Sequence, residues 1–467
     1  MAMRARTGDD DRAAGVLLGA AVGDAAGWPF ERADRTQGRA DADGPDGSWF
    51  VDWRRNAGNR FRPFMEDVAA GEYSDDTQMT IAVARARLRA GDAWADWLER
   101  VEWPFLPHYE RGAGATVKRA CRAWASGQAP WAVRKADERR KYAASGANGV
   151  AMRVAPHVLA HHADEDFAAL AQDVVVDGVL THGHPRALLG ALLQAYALWS
   201  GIRSQAPVAG AELVRSLADG AESWGRDWWE RLGDAWRDAV EEDLDRPYGE
   251  AWAETRAEVT EQLARSSELL ESGAEPVEET LVAWGLTKRA SNGSGTLCAV
   301  AAAHLAARVL PSDGVGQDAG RGQGEGPARA VLTAARLPGA DTDTLASMTA
   351  SLIGAHLGTG WLGKHAARVQ DASLLEESAS RLTDGGAAAA GSGEPVPTFE
   401  QARAATAEFT AALATAAPGT RLALPDDRSA RVTEAAEVRG GSWRAHRTRM
   451  TTEDGQSLVL LHGAQRD

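Results

Sequence analysis

From about residue 13 to residue 383, apolar side chains recur three and four positions apart, as in GVLLGAAVGDAAG, TQMTIAVARARL, PRALLGALLQAYALW, GTLCAVAAAHLAARVL and TLASMTASLIGAHLG, while strand-like alternation is scarce. That spacing puts an apolar stripe on each helix, and each stripe must be covered by another helix. With 467 residues, 44% of them hydrophobic, the chain is long enough to bury such a core. The expected fold class is all-α, a helical bundle with functional loops between its helices. Alanine richness adds helix propensity to the pattern.

Several segments depart from it. Residues 32 to 72 are polar, glycine-rich and Trp-bearing, with turn signals such as DADGPDGSW, and are expected to form a long loop beside the first helix. Residues 204 to 285 are rich in acids and Trp, centred on WGRDWWERLGDAW, but keep helical spacing, so the aromatics are expected to face the core. SDGVGQDAGRGQGEGPA reads as a glycine-rich connector; it lacks the preceding strand that a nucleotide-binding loop requires. TDGGAAAAGSGEPVP then forms a linker over 384–397, separating a helical domain over 13–383 from a small α+β appendage over 398–467. The appendage carries one helical run, TFEQARAATAEFTAALATAA, and short strand-like runs between turns, with no catalytic pattern.

Lys and Arg number 51 against 66 Asp and Glu, a net charge of −15, which disfavours broad attachment to nucleic acid or anionic membrane. VRKADERRKY holds a local basic cluster of Arg134, Lys135, Arg139, Arg140 and Lys141, expected to be a solvated helix face because acids are interspersed. Cys121 and Cys298 are far apart and are expected to be reduced and buried. No stretch approaches the roughly 20 apolar residues that span a bilayer, and the N-terminal MAMRARTGDDDRAAG has acids where a signal peptide needs an apolar segment. A cytoplasmic location is the expectation.

Two triplets carry the chemistry. Ser74, Asp75 and Asp76 in YSDDTQM, and Asp341, Asp343 and Thr344 in GADTDTLASM, each open a long apolar run. One such triplet alone is most simply a helix N-cap, because Ser, Thr and Asp accept bonds from first-turn amides. Both together suggest more. Carboxylates gathered within a few ångströms repel one another unless some are protonated or cations are supplied. Hydroxyl and carboxylate oxygens are hard ligands, suited to magnesium, manganese or calcium. Two His in THGHP, His182 and His184, lack a third partner at zinc-ligand spacing.

The remaining motifs fit one family. GVLLGAAVGDAAGWPFE resembles the N-terminal signature of the ADP-ribosylglycohydrolase family, which contains ADP-ribosyl-acceptor hydrolases and dinitrogenase reductase-activating glycohydrolase. YSDDTQM resembles its first metal motif, ANGVAMRVAP its Gly-Asn-Gly-x-x-Met-Arg loop, THGHPRA its His-Pro helix start and GADTDTLASMTASLIGAHLG its second metal motif. WLGKHAARVQDASLLEESASRL is similar to the family's closing helices. Ser74 stands where the family often has Thr, Ala147 where it has a first Gly, and Ala340 where Gly is frequent.

The resemblance implies an ADP-ribosylglycohydrolase-like helical bundle around two divalent cations, magnesium foremost with manganese as the alternative, that hydrolyses the glycosidic bond between ADP-ribose and an acceptor. By position, Ser74, Asp75, Asp76, Asp341, Asp343 and Thr344 would ligate the metals, with Asp75 and Asp76 thereby catalytic. Glu31 would act as acid, base or ribose-positioning group, and Asp24 as a structural cap or outer residue. Asn148, Gly149 and Met152 would hold ADP-ribose, His182 would reach ribose or phosphate, and Ser294 and Gly295 in SNGSGT would line the opposite wall. The expected substrate is an ADP-ribosylated protein, arginine being the first acceptor to consider; nucleic acid stays open only as an ADP-ribosylated acceptor, and no membrane role is expected. The alternatives are an inactive ADP-ribose-binding or structural protein with the same fold, and a di-metal phosphohydrolase on another helical fold.

Overall fold

The computed structural model describes residues 8–31, 36–37, 47–57, 65–208, 210–273, 276–310, 326–385, 394–440 and 442–466. The glycine-rich connector over 312–328 and the linker over 384–397 therefore lie largely outside the described residues. Helices dominate up to Thr383, and those that shape the site are α1 (Gly8–Glu31), α2 (Asp75–Ala90), α3 (Ala115–Ala125), α4 (Ala136–Ala143), α5 (Pro185–Arg203), α6 (Gly295–Ala307) and α7 (Thr342–Leu357).

The central contact is the pairing of α1 with α7, and it explains the glycines of the first motif. A Cβ on Gly19 would stand 2.5 Å from the Ala350 carbonyl oxygen, on Gly23 2.3 Å from that of Ala346, and on Gly27 2.2 Å from that of Thr342. One partner number rises as the other falls, so the helices are antiparallel, with backbones closer than any side chain allows. The C-terminal end of α1 therefore meets the start of α7. The Thr342 hydroxyl, donating to the Gly27 carbonyl at 2.8 Å, pins that end.

One sequence expectation is corrected here. The α1 helix is long and apolar enough, by length and composition, to cross a bilayer. Its glycines and alanines make it so, and 94% of that window is buried inside the fold, as in a core helix. Core aromatics fare as expected: Trp224, Trp228, Trp236 and Trp252 are all buried. Both cysteines are free and buried.

The segment 32–72, expected as a long loop, contains in its described part an antiparallel three-stranded sheet, β1 (Thr36–Gln37), β2 (Trp53–Asn56) and β3 (Met65–Val68). Its strands are too short to leave a clear alternation. Trp53 and Val68, paired across β2 and β3, bury against Trp28.

Beyond the linker, α8 (Phe399–Leu413) starts from a Thr398–Gln401 capping box and precedes a four-stranded antiparallel sheet, β4 (Arg421–Ala423), β5 (Ser429–Gly440), β6 (Trp443–Thr452) and β7 (Ser457–Arg466), in that order. The short runs seen in the sequence join into strands of 10 to 12 residues. This unit shares a core with the helical part: Phe409 meets Phe105 edge-on at 5.4 Å, and Leu422, Met450 and Leu460 bury in one cluster with Met79 and Trp97. Buried Arg85 crosses the seam, bonding Glu102 at 2.7 and 2.8 Å and the Gln456 side chain at 3.0 Å.

Candidate functional site

The start of α2 is built by hydrogen bonds that account for each letter of its motif. Asp24, wholly buried in α1, accepts from the backbone N–H of Ser74 (3.0 Å) and of Thr77 (3.0 Å) and from the Thr77 hydroxyl (2.6 Å). It anchors the helix start, as its expected structural role requires. Ser74 caps the helix, its hydroxyl accepting from Asp76 N–H at 3.2 Å. Gln78 clamps the next loop, donating to the Tyr109 carbonyl and accepting from Arg111 N–H, both at 3.0 Å.

Asp341 occupies the N-cap position of α7 but makes no capping bond. Its Oδ2 instead accepts from Asn148 Nδ2 at 2.9 Å. Around these groups lies a cavity of about 220 Å³ lined by Glu31, Asp75, Asp76, Asn148, Gly149, Met152, His182, Asp341, Asp343 and Thr344, together with Gly112, the 114–117 turn, Ala147 and Gly293. Ten of the sequence-derived residues thus converge on one space. Ser74 is not among its lining residues. Nor are Ser294 and Gly295: Ser294 bridges to Ala147 behind the loop, and Gly293 forms the wall instead.

Glycines keep the space open. A Cβ on Gly112 would stand 2.8 Å from Asp75 Oδ1, and one on Gly293 would stand 3.1 Å from Asp341 Oδ2. Gly112 also has φ +128°, a conformation that disfavours other residues.

The electrostatics are those of a buried acid cluster. Burial, then Glu110, Glu31 and Asp24, push the Asp75 carboxyl well above its ordinary range. Burial with Asp24, Asp75 and Asp341 does the same to Asp76, and burial with Glu31, Asp341 and Asp76 to Asp343. Hydroxyls help only a little, Thr344 bonding the Asp76 carboxylate. Asp76 Oδ2 is buried without a hydrogen-bond partner. Among the described residues no three His, Cys, Asp or Glu groups meet in direct ligating geometry. The donor set nonetheless fits hard cations, since it is all oxygen, includes a hydroxyl, and leaves a buried carboxylate oxygen unsatisfied.

The ANGVAMR loop is held from beneath. Arg153, wholly buried, forks onto Asp177, donates to the Gly149 carbonyl at 2.7 Å and lies over Trp103 at 5.0 Å. It also donates to the Thr181 hydroxyl at 2.9 Å. The buried Thr181 hydroxyl is also hydrogen-bonded to His182 Nδ1 at 2.8 Å. Burial, with Arg153 nearby, pushes the His182 pKa down to about 3, which favours the uncharged ring. Its Cε1 and Nε2 stand 2.9 and 3.3 Å from where a Gly149 Cβ would be, and the ring lines the cavity. His184 serves differently, accepting from Arg186 N–H at 3.1 Å as the cap of α5.

Sequence reasoning missed the 110–118 segment. Glu110 accepts from Gly112 and Ala113 N–H (3.0 and 2.9 Å) and pairs with Lys118 at 2.7 Å. The run ERGAGATVK, two glycines after an acid and before a helix, was its available signal. A second cavity of about 430 Å³ adjoins the first, sharing Glu31, Gly112, Gly114 and Ala115 with it. Its other walls include Trp53, Arg55, Glu110 and Lys118, with Val459 and Leu461 from β7.

Acid groups at three helix ends, the Asn148–Gly149 loop and the His182 ring thus meet around one cavity in a helical domain. The sequence model of the family described as ADP-ribosylglycohydrolase matches residues 5–391, and the chain belongs to that family. A solved structure described as an ADP-ribosylglycohydrolase-related protein complex is similar to it, at 20% identity over 81% of this chain and 98% of that chain, with a TM-score of 0.45.

Proposed function

We propose that the protein is a metal-dependent hydrolase that releases ADP-ribose from a modified protein side chain, with arginine as the first acceptor to test. The observation that carries this is the position of Glu31 on the boundary of two cavities, one rich in carboxylates and the other open to an acceptor. Asp75, Asp76, Asp341, Asp343 and Thr344 would hold two divalent cations, magnesium or manganese. Bound there, such ions lower the pKa of water and offset the carboxylate charge. The chain's own groups do the rest. Asn148 orients the Asp341 carboxylate, the Gly149 backbone and the His182 ring contact the ADP-ribose, and Glu31 exchanges a proton at the scissile bond, where oxocarbenium character develops. The larger cavity sets Glu31, Glu66, Glu110 and the Trp53 indole beside Arg55 and Lys118, of which Lys118 pairs with Glu110 and Arg55 with Glu66, so the acceptor is left to the substrate panel.

The test is a panel of substrates ADP-ribosylated on arginine, serine, cysteine or nucleobase, assayed with magnesium, with manganese and with excess chelator. Release of ADP-ribose from the arginine conjugate, stopped by chelator, is expected. Undiminished turnover in chelator would overturn the metal requirement, and binding of ADP-ribose with no release from any conjugate would make the protein a reader.

A further inference from the structure

The basic stretch that sequence alone assigns to a solvated face has a second surface in the structure. Arg134 and Lys135, at the entry to α4, face Arg119 and Arg122 of α3 across a cavity of about 380 Å³. This is within the roughly 300–1,000 Å³ of small-molecule sites. Four cations and one carboxylate, Glu138, line it. Glu138 is engaged by Arg119 at 3.6 Å and Lys141 at 3.5 Å. Arg122, Arg134 and Lys135 form no ion pair among the described residues, whereas Arg139 and Lys141 in the same stretch are paired with Asp243 and Asp137. In a chain of net charge −15, three unpaired cations around one hollow are an anion-attracting feature.

The floor is apolar, built from Ala123, Pro130 and Val133 with the buried ring of Tyr142. Cations beside these apolar side chains suit a heterocycle that carries phosphate. The cavity also touches the hydrolytic one: Thr116 lines both, and its hydroxyl bonds Ser145 Oγ at 2.9 Å and receives Arg119 at 3.0 Å.

We propose that this cavity is a second site, for a nucleoside phosphate, beside the hydrolytic cavity and distinct from it. Its base rests on the Pro130–Val133 floor and its phosphates on Arg122, Arg134 and Lys135. The ligand is either a free nucleotide or a nucleoside phosphate extending from the substrate.

The test is calorimetric titration of the full-length protein with ADP at about 0.15 M salt, for wild type, R134E/K135E and the neutral R134Q/K135Q. The substituted side chains are exposed, and circular dichroism and ADP-ribose release from a singly modified substrate check that the fold and the first site are intact. Loss of one equivalent of ADP in the charge-reversed variant, or at least a tenfold weaker affinity, with a smaller loss in the neutral one, is the expected result. Unchanged stoichiometry and affinity in R134E/K135E would overturn the proposal. A substrate bearing a second ADP-ribose unit separates the sources: a KM raised tenfold in R134E/K135E identifies an extended substrate, and an unchanged KM with ADP binding lost identifies a free nucleotide. Failure of the hydrolytic reading appears separately, as absent ADP-ribose release in wild type. A short oligonucleotide that binds while ADP does not would overturn the mononucleotide assignment.

Discussion

Asp343 shows at the scale of one side chain why a carboxylate cluster is chemically purposeful. Burial, Glu31, Asp341 and Asp76 hold its carboxyl well above the ordinary range, so its ionised form is less favourable in the fold than in the unfolded chain. Asp343→Asn keeps the Oδ1 that accepts from Thr344 N–H and removes the charge. Its expected outcome is loss of ADP-ribose release with a melting temperature, in chelator, equal to or above wild type. Glu31→Gln should lower kcat by about 10²- to 10⁴-fold, the usual weight of a general acid or base, with the fold unchanged by circular dichroism. Glu66 titrates in the opposite sense. Burial alone would raise its carboxyl, but Arg111 and Arg55 outweigh burial and hold it at about 2 against an ordinary 4.5. Its stabilisation is therefore complete above pH 4.5 and lost as pH falls toward 2. It is worth on the order of 3 kcal/mol. Urea midpoints between pH 2 and 6 should fall more steeply with acid in wild type than in Glu66→Gln. The Glu66 pairing was not legible in the sequence: Glu66 and Arg111 are 45 residues apart, and only the fold makes them partners.

Among elements, the α1–α7 pair does most to place the site. Glycine in a helix interior ordinarily costs about 0.5–1 kcal/mol relative to alanine, so Gly23→Ala would stabilise an isolated helix. Here the added Cβ meets the Ala346 carbonyl at 2.3 Å, and backbone does not yield as a side-chain tip does. Overpacking of about 1–3 kcal/mol or more should win. Gly23→Ala is expected to lower the melting temperature and to cut activity further, since Glu31 and Asp343 lie at the meeting ends of the two helices. Gly8→Ala, at the open start of α1 with nothing within 4 Å, is the control and should be neutral or mildly stabilising. The helices themselves were readable, because a 3.6-residue apolar period survives whatever partner covers it. The β2–β3 sheet was not, because strands of four residues carry too few alternations to show against a loop.

In the whole molecule, the residues after 398 brace the acid triplet. Arg449 of β6 pairs with Glu72, and Asp371 accepts from both the Tyr73 hydroxyl (2.6 Å) and the Ser457 backbone (2.9 Å). Glu72 and Tyr73 immediately precede Ser74 and Asp75. We therefore expect truncation after residue 385 to lower the melting temperature, to raise light scattering as Phe105 and its neighbours lose their cover, and to depress kcat through a loosened start of α2. A truncated chain with wild-type melting and turnover would show the appendage to be independent. The sequence by itself pointed to the helical class through its apolar period. Through the resemblance of its motifs to one family it pointed to Glu31, the Asn148 loop, His182 and the acid triplets, most of which the fold gathers around one cavity. It could do so because period and motif are local properties of a chain. Only the tertiary structure decided that Asp341 faces the cavity and bonds Asn148, that Gly293 rather than Ser294 forms its wall, and that the C-terminal sheet supplies a wall of the neighbouring cavity. Those outcomes depend on close approach between segments tens to hundreds of residues apart, and no local pattern encodes which backbone will arrive beside which.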